Sequence, residues 1–282
     1  MDTWKIGSRA VHPIGIGTWG MGGDRLEDGE IFADYRDDER AVEAIRYSIG
    51  LGQNHIDTAQ LYGAGHTEEI VGEAISSFDR DQLFVATKVW RSHSLRHAVP
   101  RAAEESLRKL GIDEIDLLYV HAPWDAIAME EYISGLNDAV DAGLTRVIAV
   151  SNFTSGQLRD ALELTRHPIV ANQVHYNVLR HGVVDSEMRA LCARHDITIV
   201  AYRPVERRLL ADRTNAPAVL DAAAAVGCTP AQLAIAWLIG QRGVVTIPKA
   251  SSFSHIDENL GAMSVHIPDR IRARLDIVGR EE

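Results

Sequence analysis

The chain has 282 residues, of which 46% are hydrophobic and 24% charged, the balance of a soluble globular protein with a large core. Its formal net charge of -11 excludes the basic footprint that nucleic-acid binding requires. Two cysteines, Cys192 and Cys228, both in apolar helical context, exclude a disulfide framework or structural zinc.

In chain order, strand-like apolar runs fall near residues 13–18, 54–59, 83–89, 115–121, 146–151, 170–175, 197–202 and 243–248. Helical periodicity fills the gaps, as in RDDERAVEAIRYSIGLG and VPRAAEESLRKLG, both ending at a glycine C-cap. Several strands, LFVATKV and RVIAVS among them, are apolar on both faces, as in a parallel sheet covered by helices. Eight such units over this length predict an α/β fold of the (β/α)8 TIM-barrel type, one domain over residues 1–282, with a doubly wound sheet as the alternative. The N-terminus MDTWKIGSRA lacks the apolar core of a secretion signal. Residues 222–240 carry no charge, but Gly227, Thr229 and Pro230 divide them. Thr229-Pro230-Ala231-Gln232 reads as a capping box, so two buried helices are expected rather than a membrane span. A cytoplasmic location is expected.

Gly15-Ile16-Gly17-Thr18-Trp19-Gly20 matches the dinucleotide pattern G-x-G-x-x-G. No helix opens after it; a glycine-rich acidic loop follows, with the next helix near Asp37. The glycines are expected to let the first strand's loop approach a ligand closely.

A barrel collects its chemistry at the carboxyl ends of its strands. Asp57, Lys88 and His121 stand there on the second, third and fourth runs, and Tyr62 follows in the loop. Singly each has a structural explanation: a turn cap, a rim ion pair, a satisfied histidine. Together they form a proton-delivery unit in which an adjacent cation favours the ionised phenol and strengthens it as an acid. His93-x-x-x-His97 has helical spacing but no third ligand nearby, so a solvated helix start is expected and no metal.

NHIDTAQLYG and GHTEEIVGEAI, with Lys88 and His121 at the next strand ends, resemble the aldo-keto reductase superfamily. The likeness continues through GIGTWG, AGLTRVIAVSNF, ANQVHYNVL, VAYRPV and VVTIPKASSFSHIDENL. The resemblance implies an NADP-dependent oxidoreductase that reduces aldehydes and ketones. Tyr62 would act as general acid, Lys88 held by Asp57 would lower its pKa, and His121 would orient the carbonyl. Ser151, Asn152 and Gln173 would hold the nicotinamide carboxamide, and Tyr202 would stack on its ring. Gly17, Thr18, Trp19, Asp57, Arg203, Pro204 and Val205 would line the cofactor groove. Arg203 would clamp the pyrophosphate; a rim salt bridge is its alternative. Pro248, Lys249, Ala250, Ser251, Ser252, His255, Glu258 and Asn259 would hold the adenosine phosphate. His255 stands where NADPH-committed members commonly place arginine, so NADPH is favoured and NADH stays open.

Trp19, Trp90 and Trp124 are expected to wall a carbonyl pocket. The extended C-terminal loop of longer members is not found after Leu260, where IPDRIRARLDIV reads as a last amphipathic helix, so an open mouth is expected. Residues 24–39 hold eight acidic and two basic side chains, which disfavours anionic substrates. The expected partner is a small carbonyl compound, with no nucleic acid or membrane, and the chain is expected to be a monomer or weak oligomer. Two other functions share this architecture: a nicotinamide-binding regulatory protein, and a Schiff-base aldolase using Lys88 or Lys249.

Overall fold

The computed structural model describes residues 4–278 apart from 24, 25, 28, 29, 207–209, 211 and 215. Eight parallel strands follow one another around a single sheet: β1 (Ile16–Gly17), β2 (His55–Asp57), β3 (Phe84–Val89), β4 (Ile115–Val120), β5 (Thr145–Ser151), β6 (Ile169–His175), β7 (Thr198–Tyr202) and β8 (Val244–Thr246). A parallel bridge between Ile14 and Thr246 closes the sheet. At this seam the Gly15 amide donates to the Thr246 carbonyl at 2.7 Å, and the Thr246 amide donates to Pro13 O at 2.8 Å. The runs expected from the sequence are these strands, with the first and last shortened where the barrel closes.

Ten helices cover the outside among the described residues: α1 (Asp38–Gly50), α2 (His66–Ile75), α3 (Ala98–Leu110), α4 (Met129–Asp141), α5 (Ser155–Leu164), α6 (Ser186–His195), α7 (Pro217–Val226), α8 (Pro230–Ile239), α9 (Phe253–Gly261) and α10 (Asp269–Leu275). α3 ends on Gly111 at φ 64, left-handed backbone that glycine adopts cheaply. At α8 the capping box is complete: the Gln232 amide donates to the Thr229 hydroxyl, and the Thr229 amide donates to Gln232 Oε1. α7 and α8 are bent by 88° at Gly227–Thr229, and no single helix among the described residues is long and apolar enough to cross a membrane.

The core has an inner and an outer layer. Phe84, Ala86, Leu117, Tyr119, Ala149, Ala171, Val200 and Val245 pack inside the barrel, and Ile6 and Val11 flanking the N-terminal hairpin join them. Leu83, Val85, Val89, Ile115, Leu118 and Val120 belong instead to clusters between sheet and helices. Phase therefore decides where Lys88 goes. It follows Phe84 and Ala86 at even spacing, so β3 carries its ammonium inward at the carboxyl end of the barrel.

Candidate active site

The third strand places Lys88 with 0% exposure and the second places Asp57 with 1%. The Lys88 ammonium donates three hydrogen bonds: to Asp57 Oδ1 at 2.5 Å, to the Thr58 carbonyl at 2.9 Å and to the Tyr62 hydroxyl at 3.2 Å. All its donors are thereby used, which a buried ammonium needs. The other Asp57 oxygen accepts from Gln173 Nε2 at 2.7 Å, across 116 residues of sequence. Thr18 holds the Asp57 carbonyl through both its amide and its hydroxyl. Tyr62 opens a 3-10 turn rather than lying in irregular loop. Gly63 follows at φ 53, and a Cβ there would meet the Gly22 carbonyl at 2.4 Å, so glycine is required where this turn packs on the first loop.

Burial pushes the Tyr62 phenol above its ordinary range; Lys88 pulls the other way without prevailing. Lys88 lowers the phenol as its position implies, but the degree of desolvation, a property of the folded pocket, sets the net direction. Burial also works against the Lys88 charge, but Asp57 and Tyr62 more than offset it, and the ammonium is held protonated. For Asp57 burial raises the pKa, with Lys88 and Gln173 opposing. Burial lowers the His121 imidazole to about 3, with Lys88 adding to the effect, so the ring is neutral across the physiological range.

His121 leaves the end of β4 with its ring edge-on to Tyr62, centroids 5.8 Å apart at 79°. Trp90 meets His121 at 5.0 Å, Trp124 meets Trp90 at 5.0 Å, and Trp19 meets Tyr62 at 4.9 Å, all near perpendicular. The three tryptophans thus join the phenol and the imidazole in one continuous run of ring contacts. His121 Nδ1, Trp19 Nε1 and Trp124 Nε1 are buried without a hydrogen-bond partner. Orphaned buried polar atoms clustered around the phenol are groups that a ligand can satisfy.

The remaining residues expected at the cofactor fall into three groups. Ser151, Asn152 and Tyr202 form a hydrogen-bonded chain at the ends of β5 and β7. Ser151 Oγ donates to the Gln173 carbonyl at 2.9 Å, Asn152 Nδ2 to the His121 carbonyl at 3.0 Å, and the Tyr202 hydroxyl to Asn152 Oδ1 at 2.9 Å. Gln173 is part of the Asp57 network as well. After β7, Arg203 is exposed at φ 52, and among the described residues no carboxylate lies in ion-pair range of it. The rim salt bridge considered from the sequence is therefore not formed. Pro204 is buried and Val205 packs on the outer core, so both shape the chain rather than present polar groups.

Past β8, Lys249 Nζ donates to Ser251 Oγ, and Ser252 caps α9 by accepting from the His255 amide. His255 is exposed, and Glu258 is half-buried. Asn259 and Ala250 turn into a crevice that Gly15, Ser48, Gln53 and Pro248 also line. Arg40, from α1, donates through Nε to the Ser251 carbonyl at 3.0 Å and brings a second cation to this segment. Sequence reading missed it because α1 lies more than 200 residues upstream. Lys249, Arg40, the serine hydroxyls and the first amides of α9 are the donor set that a phosphate takes.

A Cβ on Gly17 would meet the Ile247 carbonyl at 2.4 Å, and one on Gly15 would meet His55 Nδ1 at 2.7 Å. The glycines let neighbouring strands approach closely at the seam. His93 lies in a 3-10 turn and His97 precedes α3, both exposed. Among the described residues no three histidine, cysteine or carboxylate side chains are grouped to hold a metal ion. Asp24, Arg25 and Asp28 of the acidic loop lie outside the described residues.

An eight-stranded parallel barrel with a buried acid, phenol and ammonium at the carboxyl ends of its strands has the layout of a barrel enzyme. The sequence model of the Aldo/keto reductase family matches residues 13–280, and the chain belongs to that family. Methylglyoxal reductase YeaE of Escherichia coli (strain K12) is 30% identical over 274 residues, covering 96% of this chain and 92% of that protein. The thermostable aldo-keto reductase Tm1743, solved with the inhibitor epalrestat, superposes with TM-score 0.88 at 36% identity, covering 99% of this chain and 100% of that one. An aldo/keto reductase from Klebsiella pneumoniae, solved with NADP and acetate, superposes at 0.85 with 31% identity, covering 99% and 96%.

Proposed function

We propose that the protein reduces small neutral aldehydes and ketones to alcohols, with NADPH as the favoured cofactor and Tyr62 as general acid. The observation that carries this reading is the Tyr62 hydroxyl, 3.2 Å from a fully buried ammonium and walled by His121, Trp19 and Trp90. When bound, the cofactor supplies a hydride to the carbonyl carbon. Tyr62 gives its phenolic proton to the carbonyl oxygen, so the C=O double bond becomes C–H and O–H. The phenolate left behind faces the Lys88 ammonium, which is fixed in place by Asp57 and Thr58. His121, neutral, donates from a ring nitrogen to the same oxygen and orients it.

Lys249, Ser251, Ser252 and Arg40 favour a 2'-phosphate on the cofactor, and relatives of known structure bind NADP or NADPH. The name of the E. coli relative, methylglyoxal reductase, suits a small aldehyde in an aromatic pocket. A Schiff-base role for Lys88 is disfavoured because its ammonium is ion-paired and held protonated, whereas the nucleophile must be the free amine.

Tyr62→Phe tests the assignment. The loss of general-acid catalysis is expected to lower turnover by about 10²–10⁴-fold while the NADPH dissociation constant stays within about threefold. A variant that keeps most of its activity removes Tyr62 from the role. A wild-type protein that binds NADPH tightly but turns over no aldehyde or ketone in a broad panel belongs with the regulatory members instead.

A further inference from the structure

His175, the last residue of β6, is in register with Tyr202, the last of β7, and their rings stack at 5.2 Å and 17°. The imidazole is itself held: Nε2 lies 2.5 Å from Glu206 Oε1. Glu206 is 7% exposed, accepts from Asn177 Nδ2 at 3.1 Å and stands 3.4 Å from Arg180 Nε. The chain reaches this geometry through two non-glycine residues with left-handed backbone, Arg203 at φ 52 and Glu206 at φ 41. Such backbone is strained for a residue with a side chain and persists only where surrounding contacts impose it. The Asn177 amide, donating also to the Arg203 carbonyl at 3.0 Å, is one such contact. A buried carboxylate on a strained turn, directed at a histidine behind the ring expected to carry the nicotinamide, is more structure than a strand end needs.

We propose that His175 is a positioning residue for the cofactor: pinned by Glu206, it backs the Tyr202 ring and fixes the plane on which the nicotinamide stacks. The hydroxyl of Tyr202 is tied to Asn152 and one face of the ring is covered by His175, so only the opposite face can receive the cofactor. Burial lowers the His175 pKa, Glu206 opposes, and Arg203 and Arg180 add to the lowering, so at neutral pH the ring is a neutral imidazole lying against Glu206. The proposal rests on the reading that Tyr202 carries the nicotinamide, and the test separates the two.

The experiment titrates wild type, His175→Gln, His175→Phe and Tyr202→Ala with NADPH and with adenosine 2',5'-bisphosphate, which lacks the nicotinamide end. Bound-nicotinamide fluorescence and steady-state rates are read in parallel. His175→Gln keeps a donor for Glu206 but no ring; its NADPH dissociation constant should rise about tenfold, the size of one lost aromatic stack, with altered nicotinamide emission and a lower kcat. The bisphosphate should bind within twofold of wild type. His175→Phe keeps a ring and should stay within about threefold for NADPH, which also guards against a glutamine variant that fails to fold. If Tyr202→Ala weakens NADPH while His175→Gln matches wild type, the role of His175 is overturned and the nicotinamide reading stands. If Tyr202→Ala leaves NADPH binding unchanged, that reading fails and the proposal falls with it.

Discussion

Asp57→Asn removes the counter-charge of an ammonium with no solvent contact, and the cost can be worked from both sides of the pair. Lys88 would keep the Thr58 carbonyl and the Tyr62 hydroxyl, two neutral acceptors, but no anion. Breaking a buried pair in this way costs about 3–5 kcal/mol. A ceiling exists because the lysine can escape by losing its proton: starting from an ordinary pKa near 10.4, that costs about 5 kcal/mol at pH 7. Lys88→Met has the mirror ceiling, since Asp57 can take up a proton for about 4 kcal/mol at pH 7. The two escapes give opposite pH slopes. A lysine neutral in the folded state and charged in the unfolded one binds fewer protons when folded, so Asp57→Asn recovers stability as pH rises. An aspartic acid protonated only in the folded state reverses the sign, and Lys88→Met recovers as pH falls. Each slope approaches about 1.4 kcal/mol per pH unit relative to wild type. Asp57→Asn combined with Lys88→Met carries no charge and should sit within about 2 kcal/mol of wild type, a coupling of several kcal/mol. Urea unfolding followed by circular dichroism from about pH 5 to 9 reads all of this. Additive single variants with parallel pH profiles would refute a tightly coupled buried pair.

Two further predictions concern the barrel's other end and its seam. His55 is fully buried with both ring nitrogens unpartnered, and burial, with Lys88 adding, lowers it to about 3. Below pH 6.5 the unfolded chain takes up a proton that the folded chain refuses, so stability falls as pH drops from 6.5 toward 3. Between pH 7 and 5 this residue alone should cost about 2 kcal/mol, a loss that His55→Leu should not show; equal acid sensitivity of the two proteins counts against it. Gly17→Ala drives a methyl onto the Ile247 carbonyl beside the bond from the Gly17 amide to Pro248 O, and should destabilise by about 2–3 kcal/mol and weaken NADPH binding as Pro248 and Lys249 shift. An unfolding midpoint and NADPH affinity equal to wild type would show that the seam has slack.

What the sequence made legible follows from range. Strand ends are local properties, so Lys88 could be placed at the barrel mouth from the end of LFVATKV, whereas its inward direction shows only with Phe84 and Ala86 packed inside. The Thr229–Gln232 cap was legible for the same reason. Contacts set by the stagger between strands were not. Gln173 was expected on the carboxamide, yet its amide is bonded to Asp57, 116 residues away. His175 was hidden inside ANQVHYNVL because its partner, Glu206, reaches it only through a turn with left-handed backbone. Arg40 lay in a helix whose polar face looked like any solvated one, and only the packing of α1 beside the loop before α9 gives it the Ser251 carbonyl as a partner.

The same distinction between position and environment bears on how Tyr62 can act. Spacing alone suggests a cation that makes the phenol a stronger acid at rest. In the folded pocket desolvation outweighs the cation, and Tyr62 rests as a neutral phenol with a raised pKa. That state suits an acid that must still hold its proton when the carbonyl arrives. The ammonium then counts most after the proton has left, when a phenolate 3.2 Å away would have no water to stabilise it. On the proposed mechanism Lys88 would therefore stabilise the transition state and the ionised product more than the resting enzyme, which is the difference that accelerates a reaction. Asp57, Thr58 and Gln173 hold that charge in place beforehand, so little reorganisation is left for the moment of transfer.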